Sequence, residues 1–118
     1  MSFSQADIVD IFKIEHEITF KNMEAFQYNM DRFLVKSRKF LILDLHQVMY
    51  LNNAAIGIIA HAAMKAQKIG KELVVTGVIS PLSEIFEIIR FNDFMRLFAD
   101  YDQAIEYFQA KYSISNRN

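Results

Sequence analysis

Cysteine is absent from the 118 residues, which removes both a disulfide framework and any thiolate metal site. Glycine occurs only three times, too sparsely for a glycine-rich loop that cradles phosphates, and no nucleophile is set with a histidine and a carboxylate in a recognisable catalytic motif. The three histidines, His16, His46 and His61, are scattered, and no pair has ligand spacing with a carboxylate on a shared face. Neither an enzyme nor a cofactor or metal site is therefore expected. Charge of one sign is lacking as well. Thirteen basic residues stand against fourteen acidic ones, dispersed along the chain, which argues against a nucleic-acid partner held by its phosphates. Long apolar runs are also missing, and Met1–Ile14 lacks the basic start and apolar block of a signal peptide. The expectation is a cytoplasmic protein with no membrane insertion.

What the chain does have is core material. Apolar residues make up 53%, eleven of them Phe, against 23% charged. A single domain of this size buries roughly two thirds of its unfolded surface, and this composition argues against extended disorder. We expect one domain over residues 1–112 and a disordered tail at 113–118, where four of six residues are Ser or Asn.

Changes in hydrophobic period predict alternating strands and helices. Ile8–Ile14 reads as a strand, with a short strand before it around Ser2–Gln5. From Lys21 to Lys36, Met23, Phe26, Met30 and Phe33 or Leu34 recur at helical spacing, with Thr19 as the candidate N-cap. Lys39–Leu45 is a near-continuous apolar run ending in Asp44, the pattern of a strand buried on both faces. Asn53–Ile69 reads as a helix closed by Gly70, and Leu73–Ile79 as the next strand. A third helix runs from the Ser80-Pro81 pair to Arg90, with Pro81 in its first turn. An edge strand is expected over Phe94–Phe98, sealed by Phe91, Phe94 and Phe98, and a last helix over Asp100 or Asp102 to Tyr112. This order implies an α/β fold, a mixed central sheet with about four helices.

The segment Lys39–Ile59, KFLILDLHQVMYLNNAAIGII, resembles the centre of a STAS domain, the family of bacterial anti-sigma factor antagonists. There a strand of the pattern xxIVLDLSxVxFID leads into SSGLGxL. The resemblance extends to His16-Glu17-Ile18-Thr19 at the first strand's exit, to Gly70-Lys71-Glu72-Leu73-Val74-Val75, to Ser80-Pro81 and to Arg96-Leu97-Phe98. It implies a STAS-type single domain and a regulatory, non-catalytic role in transcription through partner switching. It also implies a protein partner, an anti-sigma factor that is a serine-kinase-like ATPase.

In the family an Asp-Ser-Ser-Gly sequence opens the helix, and its first Ser is phosphorylated. The corresponding positions here are Asn52-Asn53-Ala54-Ala55. An amide has no hydroxyl to deprotonate, so Asn53 cannot take the phosphoryl group. The resemblance then implies either a constitutively binding-competent antagonist or a non-switching relative with another partner. Either Asn also serves as a plain helix cap with no functional reason. If Ile56, Ile59, Ala60 and Ala63 pack on the sheet, then Ala54, Ile58, His61, Ala62 and Lys65 point away, and Ile58 and Ala62 are expected to be exposed. Asn52, Asn53, Ala54, Ile58, His61 and Ala62 are thus the candidate partner-binding residues. The alternative is that side chains of the third helix cover this patch. Other readings of function are an accessory STAS subunit of a lipid transporter and a signalling scaffold, either with a small ligand. Partner identity and oligomeric state stay open.

Overall fold

The computed structural model describes residues 2–6 and 8–115, with side chains from residue 8 to residue 114. In chain order the elements are β1 (Ser2–Ala6), β2 (Val9–Lys13), α1 (Met23–Lys36), β3 (Phe40–Asp44), α2 (Asn53–Lys68), β4 (Glu72–Thr76), α3 (Leu82–Ile88), β5 (Leu97–Phe98) and α4 (Tyr101–Ser115), with a short 3₁₀ turn at Phe91–Asp93. The five strands form one sheet in the order β1-β2-β3-β4-β5. β1 pairs antiparallel with β2, and β2 to β5 run parallel. The mixed α/β sheet with four α-helices is the architecture expected from the alternating periods.

Strand residues alternate between two apolar layers, as the two-residue period of a strand requires. Phe12, Leu41, Leu43, Leu73 and Val75 face the layer built with α1, α2 and α3. Val9, Ile11, Phe40, Ile42 and Val74 face the other, where α4 supplies Ala104 and Phe108. All three helices that cross between parallel strands therefore share one face, and α4 covers the second. Phe108 stacks on Phe40 with ring centroids 4.7 Å apart, an offset geometry that adds to simple burial.

Several boundaries differ from the sequence expectation for local reasons. α1 begins at Met23, and Asn22 takes the N-cap position expected of Thr19. The Thr19 N–H donates to Asn22 Oδ1 at 2.9 Å and the Asn22 N–H to the Thr19 carbonyl at 3.2 Å, closing a turn ahead of the helix. β4 stops at Thr76 because Gly77 adopts φ +76°, a left-handed conformation that ends the strand. α3 ends at Ile88 rather than Arg90, whose φ of 56° is also left-handed, and Pro81 sits just before the helix. The edge strand expected over Phe94–Phe98 shrinks to Leu97–Phe98, since the Phe94 and Met95 N–H groups turn back onto the Phe91 carbonyl to close the 3₁₀ turn.

Nor do the three phenylalanines seal that edge together. Phe91 is buried against Phe86, Phe94 is exposed, and Phe98 lies on the opposite face beside Tyr107. Asp100 caps α4, its Oδ1 accepting the Gln103 N–H at 3.0 Å. Of the tail expected at 113–118, residues 113–115 belong to α4 instead, and 116–118 lie outside the described residues.

Candidate functional site

The β3–α2 connection places the candidate residues at the carboxyl edge of the parallel strands. Asn52 has extended backbone and caps α2, its Oδ1 accepting the Ala55 N–H at 2.7 Å. Its backbone N–H donates to the Ile18 carbonyl, and the Ile18 N–H to that of Tyr50, so the β2–α1 loop is stitched to the approach of α2. The Asn52 amide also points at the Met23 sulfur, 3.8 Å away. Asn53 is the first helical residue and is exposed. No acidic side chain stands in the first turn of α2, so the partial positive charge of the helix start meets only neutral groups there.

The remaining candidates divide. Ala54 and His61 are exposed, whereas Ile58 is half-buried against the core and Ala62 is only 4% accessible. The expected exposure of Ile58 and Ala62 is therefore corrected. The cover comes from α1, not from the third helix: both α1 and α2 pack on one sheet face, and the line where they meet takes in Ala62. Ala60, expected on the sheet side, is only half-buried, and the buried stripe runs through Ala55, Ile56, Ile59, Ala62, Ala63 and Ala66. What remains open between the helices is a groove of about 270 Å³, walled by Met30 and Leu34 of α1 and by Ala54, Ile58, His61 and Ala62 of α2. Lys65 and Asp31 approach across it to 4.0 Å. Asn52 and Asn53 stand at its head rather than in it.

Exposed apolar residues in the neighbouring loops were not identified from the sequence. Phe20 is 79% accessible in the turn before α1, Met49 and Tyr50 are exposed just before α2, and Ile79 is exposed after β4. All emerge beyond the carboxyl ends of β2, β3 and β4. The signal of Phe20, Met49 and Tyr50 was that none falls into a helical or strand period; Ile79 was hidden because the strand was expected to run that far. In the same loop region the Ser80 hydroxyl donates to both oxygens of Glu84 at 2.8 and 3.0 Å, and this hydrogen bond is the main reason the Glu84 carboxyl lies below its ordinary value. Among the described residues no group of three His, Asp or Glu side chains is placed to hold a metal ion, and no helix is long and apolar enough to cross a membrane. The region thus combines a neutral capped helix start, a shallow groove of mixed polarity and a fringe of exposed large side chains.

Known proteins share this fold. An anti-sigma factor antagonist from Mycobacterium paratuberculosis superposes with a TM-score of 0.82 at 18% identity, covering 90% of each chain. A Thermotoga maritima protein assigned to the same class gives 0.81 at 17% identity over 90% of this chain and 92% of that one. The STAS domain of a SulP transporter from Vibrio cholerae gives 0.72 at 15% identity, over 94% and 88%. No curated protein matches the sequence. The family profile described as STAS domain matches residues 4–104. The chain belongs to the STAS domain family.

Proposed function

We propose that the protein is a non-catalytic, protein-binding regulator of the anti-sigma factor antagonist type, acting in the bacterial cytoplasm on a serine-kinase-like ATPase or a related regulator. Its docking surface is the start of α2, with Asn52, Asn53 and Ala54 at the centre, the α1–α2 groove beside them and Phe20, Met49, Tyr50 and Ile79 around them. The observation that carries the reading is the neutral, capped and exposed helix start set among exposed apolar side chains. At the family's phosphoacceptor position Asn53 offers no hydroxyl, so the surface stays uncharged there. A phosphoryl group would have added nearly two negative charges at that point. This head of α2 is therefore permanently in the uncharged, binding-competent form. Similarity to an antagonist and to a transporter's STAS domain alike leaves an accessory role in a transporter, or a scaffold role, as the second reading.

The test is affinity capture with the wild-type chain and with folded Asn53→Asp and Phe20→Asp variants, followed by calorimetric titration of the captured protein. Loss of a kinase-like partner by both variants supports docking at the helix start. Capture of transporter subunits, unaffected by either substitution, would put the second reading first.

A further inference from the structure

On the second face of the sheet, at the same carboxyl edge, lies a polar cluster that docking does not use. Asp44 ends β3 with its side chain 2% accessible, and the hydroxyl of Thr76 on β4 donates to its Oδ1 at 3.0 Å. The other oxygen, Oδ2, is 2.5 Å from Nδ1 of His46, two residues on. A carboxylate only accepts hydrogen bonds, so in the neutral imidazole Nδ1 carries the proton and the lone pair resides on Nε2. The His46 side chain is 46% accessible, and Nε2 has no hydrogen-bond partner among the described residues. Gly77 leaves room for the pair: a Cβ there would come within 2.7 Å of His46 Cβ and 3.0 Å of Asp44 Oδ1. Across the strand pair Lys13 stands in register with Asp44, and its ammonium sits 5.4 Å from the Tyr101 ring. The hydrogen bond with Tyr101 and the Tyr101 charge, then the charges of Asp44 and Glu15, hold Lys13 above its ordinary pKa.

We propose that His46 is a phosphoryl-accepting histidine, modified at Nε2 by a donor with an activated phosphorus–nitrogen or acyl-phosphate bond. An imidazole whose tautomer is fixed by a buried carboxylate presents a nucleophilic lone pair in a set direction. With phosphoramidate as donor, the Nε2 lone pair attacks phosphorus, the phosphorus–nitrogen bond breaks, and its electron pair leaves with ammonia. The positive charge then carried by the ring is stabilised by Asp44, which keeps the Nδ1 proton in its hydrogen bond. A metal site is the poorer fit, because no second and third ligand converge on His46 among the described residues. His46 lies in the loop that leads into α2. Its modification would charge the approach to the docking surface that Asn53 leaves neutral, a consequence that rests on the docking reading above.

The full chain is incubated with potassium phosphoramidate and followed by phosphorus NMR and by mass spectrometry under alkaline conditions, where phosphohistidine survives. His16 and His61 are internal references. His16 Nδ1 lies 3.1 Å from the Glu17 carbonyl oxygen, and His61 has no carboxylate partner among the described residues. His46 is expected to label about tenfold or more faster than either, as the Nε2 isomer, and Asp44→Asn to remove most of that advantage. Labelling at equal rates on the three histidines of the wild-type protein, or at Nδ1 of His46, overturns the proposal whether or not Asp44→Asn folds. Labelled protein that still binds the captured partner as tightly as unlabelled protein overturns the link to docking and leaves the modification site standing.

Discussion

Asn52 closes the first turn of α2 on Ala55, with 2.7 Å between its side-chain oxygen and the Ala55 nitrogen, while its neighbour Asn53 makes no such bond and faces solvent. Two adjacent residues of one type thus carry separate tasks, one structural and one available for contact.

Asn52→Ala is accordingly expected to destabilise the fold by about 1 kcal/mol, the usual cost of a lost N-cap, whereas Asn53→Ala should shift stability by only a few tenths, since Ala is the better helix former. Urea denaturation of the two variants separates them. Equal losses would mean that the cap is shared.

The head of α2 should also report on binding. Asn53→Asp introduces a carboxylate where the helix dipole favours one, so stability is expected to change by no more than about 1 kcal/mol. Against a partner the same unpaired charge typically costs several kcal/mol, so affinity is expected to fall about a hundredfold or more. Phe20→Asp, at a residue 79% accessible, tests the apolar fringe with little effect on folding. Calorimetric titration with the captured partner measures both, beside thermal melts. Unchanged affinity in folded variants would move the interface elsewhere.

Gly77→Ala is expected to be among the costlier small substitutions in the chain. A φ of +76° disfavours any side chain, and the added methyl group would meet His46 and Asp44 at 2.7 and 3.0 Å. Strain and overpacking together suggest a loss of about 2–4 kcal/mol, read from the denaturation midpoint. By contrast, Gly57→Ala meets nothing within 4 Å and is expected to stabilise α2 by up to about 1 kcal/mol.

A pH-dependent clamp holds the far end of α4. Glu72, at the start of β4, accepts the Tyr107 hydroxyl at 2.9 Å and pairs with Lys111 and, at 3.9 Å, with Arg96. The hydrogen bond to Glu72 is the main cause that raises the Lys111 pKa above the ordinary 10.5. A raised folded-state value means that the contribution is fully present below the unfolded pKa and is lost as pH rises through the folded one. Melting temperatures of the wild type and Lys111→Met are thus expected to differ at pH 7 to 9 and to converge only once the pH has risen past the raised folded-state value, above 10.5. A gap that persists at high pH would assign the role of Lys111 to its aliphatic stem.

Much of this architecture was legible because its signals are periodic. Phe40–Asp44 announces a doubly buried strand by an unbroken apolar run, and Phe26, Met30, Phe33 and Leu34 mark the inward stripe of α1. Misplaced ends trace to backbone conformations that side-chain pattern does not encode, such as the left-handed Arg90, whose residue type gives no warning of a positive φ. Within the candidate site, the Asn52 cap was readable from residue type and position. The burial of Ala62 was not, because helix periodicity separates the sheet side from the outer side but is silent about a second helix lying alongside. His46 was overlooked as one of three scattered histidines, although Asp44 stands two residues away, since the bend after β3 that folds one onto the other leaves no trace in composition.

Every crossover helix lies on one face of the sheet, so the opposite apolar layer of Val9, Ile11, Phe40, Ile42 and Val74 depends on α4, the last element in chain order. During synthesis all five strands leave the ribosome before anything can shield that layer. The nascent domain must therefore either wait for residues 101–115 before it settles or pass through an intermediate with a bare parallel sheet, a surface that invites association with other chains. A chain cut after Phe98 would retain every strand and all three crossover helices and yet be expected to aggregate.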